Sequence, residues 1–441
     1  MAESLTLDIL KQSVAGQAAA FRCRRRLQPA GGEGDKVFPP TFAGAVYAFE
    51  KRRMPGRDEP VSCVLLDSVQ SQANRMEMAL QEAIEAGEIK LPLVEVDFSE
   101  HDPTGDNEAD EKAGRLVDAV GKVTSLQAPH RLADAIFRDS ELDGIPFRQS
   151  ETGLVLNTIG IANATPLFEL CPTALLFGMW DSTGPKGGLG PKFERAVVSE
   201  ITGIGAEFGI KTQSRVDPLI TKTTGITLFQ KKGGGWTLNE KAAIKKGNRE
   251  IKLGKDGKAS EANLGNVTPA FHKYGKGAEG FDPLTGEQAR EGRIAPGGVT
   301  IEYAEQVTTL SLICLRRLRF PLNGKSGEVT EKAARTLLAA LGLCSATLAF
   351  EAGVGLRSRS LLWPDGPMVW ELLERPGKSP REFELTGKRA IKLLSEAVTA
   401  ARKGGLAWRE EPVSLKPSAE LLNLVRLSQQ LATKEGTEGE E

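Results

Sequence analysis

An α+β fold is predicted by three observations. Strand and helix signals alternate along most of the chain, 40% of the 441 residues are apolar while 26% are charged, and one long stretch loses periodicity altogether. A disordered chain would need fewer apolar residues and more net charge, so that class is excluded. The length allows two to three ordinary domains, or one core with large insertions. No stretch approaches the ~18 consecutive apolar residues of a bilayer span, and MAESLTLDILKQSVAGQ lacks the layout of a signal peptide. A cytoplasmic location without a membrane partner is therefore expected.

The elements follow in order. AFRCRRRL (20–27) alternates so that Arg22, Arg24 and Arg26 share one face and Phe21, Cys23 and Leu27 the other, as a half-buried strand does. PVSCVLLDS (60–68) reads as a strand. The helix after it carries Ala73, Met76, Leu80, Ala83 and Ile84 at helical spacing, with Ser68 or Ser71 as N-cap and Gly87 as the stop. LPLVEVDF (91–98), GLVLNTIGIA (153–162) and TALLFGMW (173–180) read as strands. KFERAVVSEITGIGAEFG (192–209) reads as a helix burying Phe193, Ala196, Val197 and Ile201. The β-branched run 299–320 predicts one long strand or a bent pair. Helices are predicted over 330–353, 386–405 and 416–432, and a disordered end after them. Between 221 and 298 glycine and lysine rise together and periodicity fails, which marks a functional loop or inserted subdomain.

Cys23, Cys63, Cys171, Cys314 and Cys344 are widely spaced and mostly within apolar runs, so they read as reduced core residues. Three histidines without metal-ligand spacing give no zinc site, and no metal or cofactor is expected. The net charge is −1, from 57 basic and 58 acidic residues, yet it is unevenly distributed. Residues 22–57 hold nine basic residues against three acidic, and residues 222–258 hold ten against three. Acid collects in 95–111 and in the final KEGTEGEE. Two basic stretches suit a polyanion.

Four segments are candidate contacts. WDSTGPKGGLGPKFER (180–195), read as a strand-to-helix loop, offers glycines, Lys186, Lys192 and Arg195 to an anion at a helix N-terminus, with Trp180 beside them. A tight turn whose glycines only permit close packing is the plain alternative. Ser68, Ser71, Gln72, Asn74 and Arg75 suit sugar and phosphate contacts, or else cap and solvate a helix. The Arg22, Arg24 and Arg26 face lacks nearby acid in sequence and could lie along a nucleic-acid backbone, with Lys36 and Arg57 close by; otherwise it is a charge-protected strand. Lys231, Lys232 and Trp236, among the basic residues of 222–258, could wrap a strand and stack on a base, or form a solvated loop. No Walker A, G-x-S-x-G or Cys/His/Asn grouping is present, and no catalytic residue is expected.

LQPAGGEGDKVFPPTFAG, LLDSVQSQANRMEMAL and FGMWDSTGPKGGLGPKFERAVVSEI together resemble the backbone subunit of the type I-G (formerly I-U) CRISPR Cascade complex, of the RAMP superfamily. The resemblance spans roughly residues 15–400. It implies a modified RRM-like, ferredoxin-like palm with large inserted loops or subdomains. Several copies would assemble head to tail along one guide crRNA and engage target DNA through the guide, with other Cascade subunits and a recruited helicase-nuclease as partners. The guide contacts it implies are the Arg22–Arg26 strand, the Ser68–Arg75 loop-helix and the Lys186–Arg195 loop. The RNP aromatic pattern of an ordinary RRM is not visible.

The expected organisation is a palm core in 1–220 and 299–441 with a basic, thumb-like insertion in 221–298. The expected function is a non-catalytic scaffold that binds guide RNA regardless of sequence. Acidic residues Asp106, Glu108 and Asp110 could face a neighbouring copy's basic loop. Two rivals stand beside this reading: a RAMP-type metal-dependent ribonuclease using Asp67 or Asp181, and a phosphate-loop enzyme using Gly184–Gly190.

Overall fold

The computed structural model describes residues 2–43, 46–184, 187–219, 225–247, 249–278, 282 and 287–438. It is a mixed α+β protein. Strands β1 (Ala20–Pro29), β2 (Phe49–Arg52), β3 (Val61–Asp67), β4 (Val197–Ile204), β5 (Tyr303–Ser311), β6 (Val369–Leu373) and β7 (Arg381–Glu384) build the main sheet. Their spatial order is β7-β6-β1-β5-β4-β3-β2, all antiparallel, with Glu3–Ser4 added in parallel along β7. Ser360–Pro364 continues the ladder at the end of β1.

The longer helices are α1 (Leu7–Ala15), α2 (Val69–Glu85), α3 (Glu328–Phe350), α4 (Gly387–Lys403) and α5 (Ala419–Glu438). The first four form a layer on one sheet face, with α3 at the centre touching α1, α2, α4 and β5. Gly342 is where α3 meets the sheet: a Cβ there would lie 3.0 Å from Val197 Cγ2 and 3.3 Å from Leu310 Cδ1. α3 has the length and hydropathy of a bilayer crossing, but 78% of that window is buried inside the fold. Its apolarity serves the core. Cys23, Cys63, Cys171 and Cys344 are buried and unbridged, as the sequence suggested, while Cys314 is half-buried.

A second, five-stranded sheet includes Ser140–Leu142, Val413–Pro417, Val94–Asp97 and Lys122–Thr124. It shares one continuous hydrophobic cluster with the main sheet. Residues 212–295 depart from this body on paired strands. Glu207–Ile210 pairs with Pro296–Thr300, and Thr212–Arg215 with Val267–Phe271. Beyond that stem lie short hairpins around a small cluster at Leu228, Leu253 and Ala259, while the segment between Phe271 and Pro296 forms a second cluster at Tyr274, Ala289 and Ala295 that packs against Val46.

Ser68 N-caps α2 by accepting from Ser71 N, and Gly87 follows its end at φ +73°, both as the sequence indicated. Three expectations are corrected. Residues 153–162 begin as helical turns, Glu151–Leu154 capped by Ser150 and then Val155–Asn157. Thr173–Phe177 is a helical turn after Pro172, and only Met179–Trp180 of that run is extended. Short apolar runs do not separate strand from buried helix, and the Ser150 and Pro172 start signals decide here. The third correction is 192–209, which forms strands at Lys192–Phe193, Val197–Ile204 and Glu207–Ile210. Phe193, Ala196, Val197 and Ile201 are buried as expected, but β-branched Val197, Val198, Ile201, Thr202 and Ile204 favour the pleat over the helix. The 299–320 run is corrected in part: it holds two strands, the end of Pro296–Thr300 and Tyr303–Ser311, but then turns into a helix, Leu312–Arg317, which Ser311 caps through Cys314 N.

Candidate nucleic-acid interface

The arginine face of β1 points away from the helices, as its alternation required. Its supply of acid comes from neighbouring strands, which corrects the expectation of an unneutralised face. Arg22 Nε lies 2.7 Å from Glu371 of β6, and Arg24 Nη2 lies 2.6 Å from Glu305 of β5. Arg26 stacks 4.4 Å above the Tyr303 ring. Glu200 joins from β4, paired with Arg52, so this face is largely a lattice of cross-strand ion pairs, in which Arg26 alone of the three β1 arginines has no carboxylate partner among the described residues. Arg25 faces inward, buried, and donates Nη1 to Phe350 O in the last turn of α3. Arg57 pairs with Glu302 in a mixed-charge cleft shared with Arg26. Lys36 donates Nζ to Ile210 O at 3.3 Å.

The Ser68–Arg75 cluster closes on Asp67 instead of opening to a ligand. Gln72 is fully buried; its Nε2 donates to Asp67 Oδ2 at 2.5 Å, and its Oε1 accepts from Ser199 Oγ and Gln306 Nε2 at 2.8 and 2.9 Å. Arg75 Nε donates to Asp67 at 2.9 Å, and its two terminal nitrogens donate to Gly355 O and Leu356 O. Gln72 and Arg75 are thus corrected from guide contacts to struts. Asn74 is exposed and Ser71 half-buried.

The 180–195 loop joins two strands, Met179–Trp180 and Lys192–Phe193, so no helix N-terminus waits at its end. Two of its glycines pack against Asp181. Cβ atoms at Gly184 and Gly190 would meet Asp181 at 2.5 Å (Oδ2) and 1.8 Å (O), and Asp181 itself is buried against Arg148 at 2.7 Å. The close-packing alternative describes these two glycines. Lys186 lies outside the described residues.

The hairpin does bring three expected residues together. Trp180 stands opposite Lys192 in register, with the ammonium 5.5 Å from the ring centroid, and a Cβ at Gly178 would meet Arg195 Cγ at 3.1 Å. All three line a cleft of about 530 Å3 together with His130, Arg131 and Phe177. The cleft floor rests on a pair that sequence reasoning missed. Arg131 is buried, holds a left-handed backbone (φ 51°), and donates from Nε and Nη2 to Glu77 at 2.6 and 2.8 Å and from Nη1 to Gly178 O at 2.9 Å. Burial pushes the Glu77 carboxyl up to about 7, against the pull of the Arg131 guanidinium. A charged residue beside Met76 on the buried face of α2 was the available signal.

In the arm, Phe229–Gln230 pairs with Trp236–Thr237 across a turn in which Gly233, Gly234 and Gly235 all have positive φ. Lys231 and Lys232 are exposed at that turn, and Trp236 is 40% exposed beside it. Lys245 and Lys258 pair with Glu250 and Asp256. Among the described residues no ion pair takes up Lys231, Lys232, Lys241, Lys246 or Arg249; Lys222 lies outside them.

Asp67 and Asp181, the carboxylates a nuclease would use, are both buried and bonded to guanidinium groups. Of the three acidic residues expected to face a neighbour, Asp110 is buried, latched to Thr104 and Gly105, while Asp106, which caps a short helix, and Glu108 are exposed.

Residues 21–208, the span holding β1, the Asp67 network and the Trp180 cleft, are similar to CRISPR-associated proteins. The matching family model is described as CRISPR-associated protein GSU0053, and it covers somewhat under half of the chain. The match supports a role in CRISPR defence. No protein of curated function matches the chain.

Proposed function

We propose that this chain is the guide-coating backbone subunit of a type I-G Cascade complex, a RAMP-superfamily protein that binds crRNA without reading its sequence. In this reading copies line up head to tail along the guide in the cytoplasm. Target DNA pairs with the guide, and other Cascade subunits and a helicase-nuclease supply interference. The chain itself does no chemistry, and buried, ion-paired Asp67 and Asp181 accord with that.

The observation that carries the reading is the placement of unpaired cations. On two hairpins they stand beside exposed indoles, Lys192 and Arg195 with Trp180, and Lys231 and Lys232 with Trp236, while Arg22 and Arg24 of the sheet are ion-paired. Cations and ring faces hold phosphate and base without base-edge recognition, which a guide coat requires. An antiparallel sheet with helices on one face supports the modified RRM-like palm, and residues 221–298 are the thumb-like insertion.

The test is to purify the chain from its expression host and examine bound nucleic acid and particle size together. RNA of discrete length on an oligomer is expected. A monomer that stays free of RNA when guide transcript and partner subunits are supplied overturns the proposal. Cleavage of matched RNA in magnesium, abolished by Asp181→Asn, overturns its non-catalytic part.

A further inference from the structure

We infer that the cleft beside Trp180 is a slot for one unpaired nucleotide, its base against the indole and its phosphate between Lys192 and Arg195. The inference deepens the RNA-binding reading and rests on it for the source of that nucleotide. At about 530 Å3 the cleft has the size of a small-molecule site, roughly 300–1,000 Å3, and it is half open, so a ligand still attached to a longer chain can enter.

Its surfaces divide by chemistry. Trp180 is 51% exposed, unusual for so large an apolar ring, and the Lys192 ammonium flanks it. Neither Lys192 nor Arg195 has a carboxylate partner among the described residues. Glu194, which also lines the cleft, has its carboxylate 2.7 Å from Arg317 Nη1. Ser182 and Thr183 bring hydroxyls to the same rim.

The floor is built to keep this shape. Arg131 keeps a backbone conformation that non-glycine residues rarely adopt, fixed by two bonds to Glu77 and one to Gly178 O. Gly178, held by that bond, is the residue immediately before the Met179–Trp180 strand. The backbone that carries the indole is thereby tied to the core through one peptide carbonyl. A stacking ring so anchored loses little freedom on binding.

The chemistry fits a nucleoside monophosphate unit from either of two sources, one residue of a single strand or a free nucleotide. The test uses full-length chain and a single-stranded RNA carrying 2-aminopurine, whose fluorescence falls when it stacks on an aromatic ring. Quenching in wild type, lost in Trp180→Ala and largely kept in Trp180→Phe, is expected. Affinity should weaken roughly 5- to 100-fold in the alanine variant. Lys192→Ala, a rim change that leaves the core untouched, should lower affinity several-fold without restoring fluorescence.

RNA binding with full quenching in Trp180→Ala overturns the slot while leaving the RNA-binding proposal standing. If wild type binds no RNA, AMP and UMP are titrated alone. Saturable binding lost in Trp180→Ala supports the slot with a free nucleotide as its ligand. No binding of either overturns the slot, and the RNA reading falls with it only if the chain also stays free of RNA when guide transcript and partner subunits are supplied.

Discussion

Gln72 offers the sharpest separation of scaffold from interface. Its position in LLDSVQSQANR makes it a ligand contact in the sequence, and a strut in the structure. Replacing it with Leu keeps the volume but removes three hydrogen bonds. Asp67 loses one bond to a charged acceptor and keeps Arg75; Ser199 keeps Thr308; the Gln306 amide keeps no side-chain partner. A charge-assisted bond contributes about 1.5–3 kcal/mol and a stranded buried amide costs about 1–3 kcal/mol. With Ser199 largely compensated, Gln72→Leu should destabilise the protein by about 3–5 kcal/mol. The assay is urea unfolding, read as a lower midpoint at unchanged slope. It is paired with an RNA titration under conditions where the variant is folded. A loss below ~1 kcal/mol, or RNA affinity that drops while the folded fraction is intact, would refute the reasoning.

Four other outcomes are expected. Lys192→Ala should flatten the salt dependence of RNA binding by about 0.7 in log–log slope, the value for one phosphate on a single strand. Arg24→Ala should leave that slope alone and cost under ~1 kcal/mol, as an exposed ion pair does; equal slopes for both variants would contradict the assignment. Glu77→Gln should destabilise by about 3–5 kcal/mol by stranding Arg131, and Glu77→Leu with Arg131→Met should recover much of it in the same unfolding assay. The Asp110 carboxyl is held below the usual range, first by the Thr104 hydroxyl and then by the Thr104 and Gly105 amides and nearby Arg115. A depressed carboxyl adds stability above its unfolded pKa and loses it as pH falls. Protection of the amides in residues 102–116, taken relative to the intrinsic exchange rate at each pH, should therefore fall on acidification below about pH 4, and Asp110→Asn should remove that pH dependence.

Local periodicity was enough for α2, α3, α4 and β1, because each has one apolar face and clear punctuation. Ser68 and Gly87 bracket α2, and the Arg22, Arg24 and Arg26 alternation shows which way β1 faces. What could not be read was partnership at a distance. Glu371 lies 349 residues from Arg22, and Glu305 lies 281 from Arg24, so arginines that look unpartnered in sequence are ion-paired in space. The same holds for the cleft: Trp180, Lys192 and Arg195 are neighbours in the chain and were singled out, whereas Glu77 and Arg131, 54 residues apart, were not. The glycines of 184–190 were ambiguous for a different reason. Glycine marks close approach without saying to what, and the approach here is to Asp181.

The paired stem beneath residues 212–295 bears on how this molecule can vary. Its strands leave and return as ladder neighbours, roughly 4.8 Å apart, a gap that a tight turn closes. Loop-closure entropy grows only with the logarithm of length, so lengthening or trimming the segment beyond the stem alters folding free energy little. Each cross-strand pair added to the stem instead carries the Lys231, Lys232 and Trp236 tip about 3.4 Å further along the strand direction. Span along a bound polymer is thus adjustable in small steps, separately from the body that anchors it.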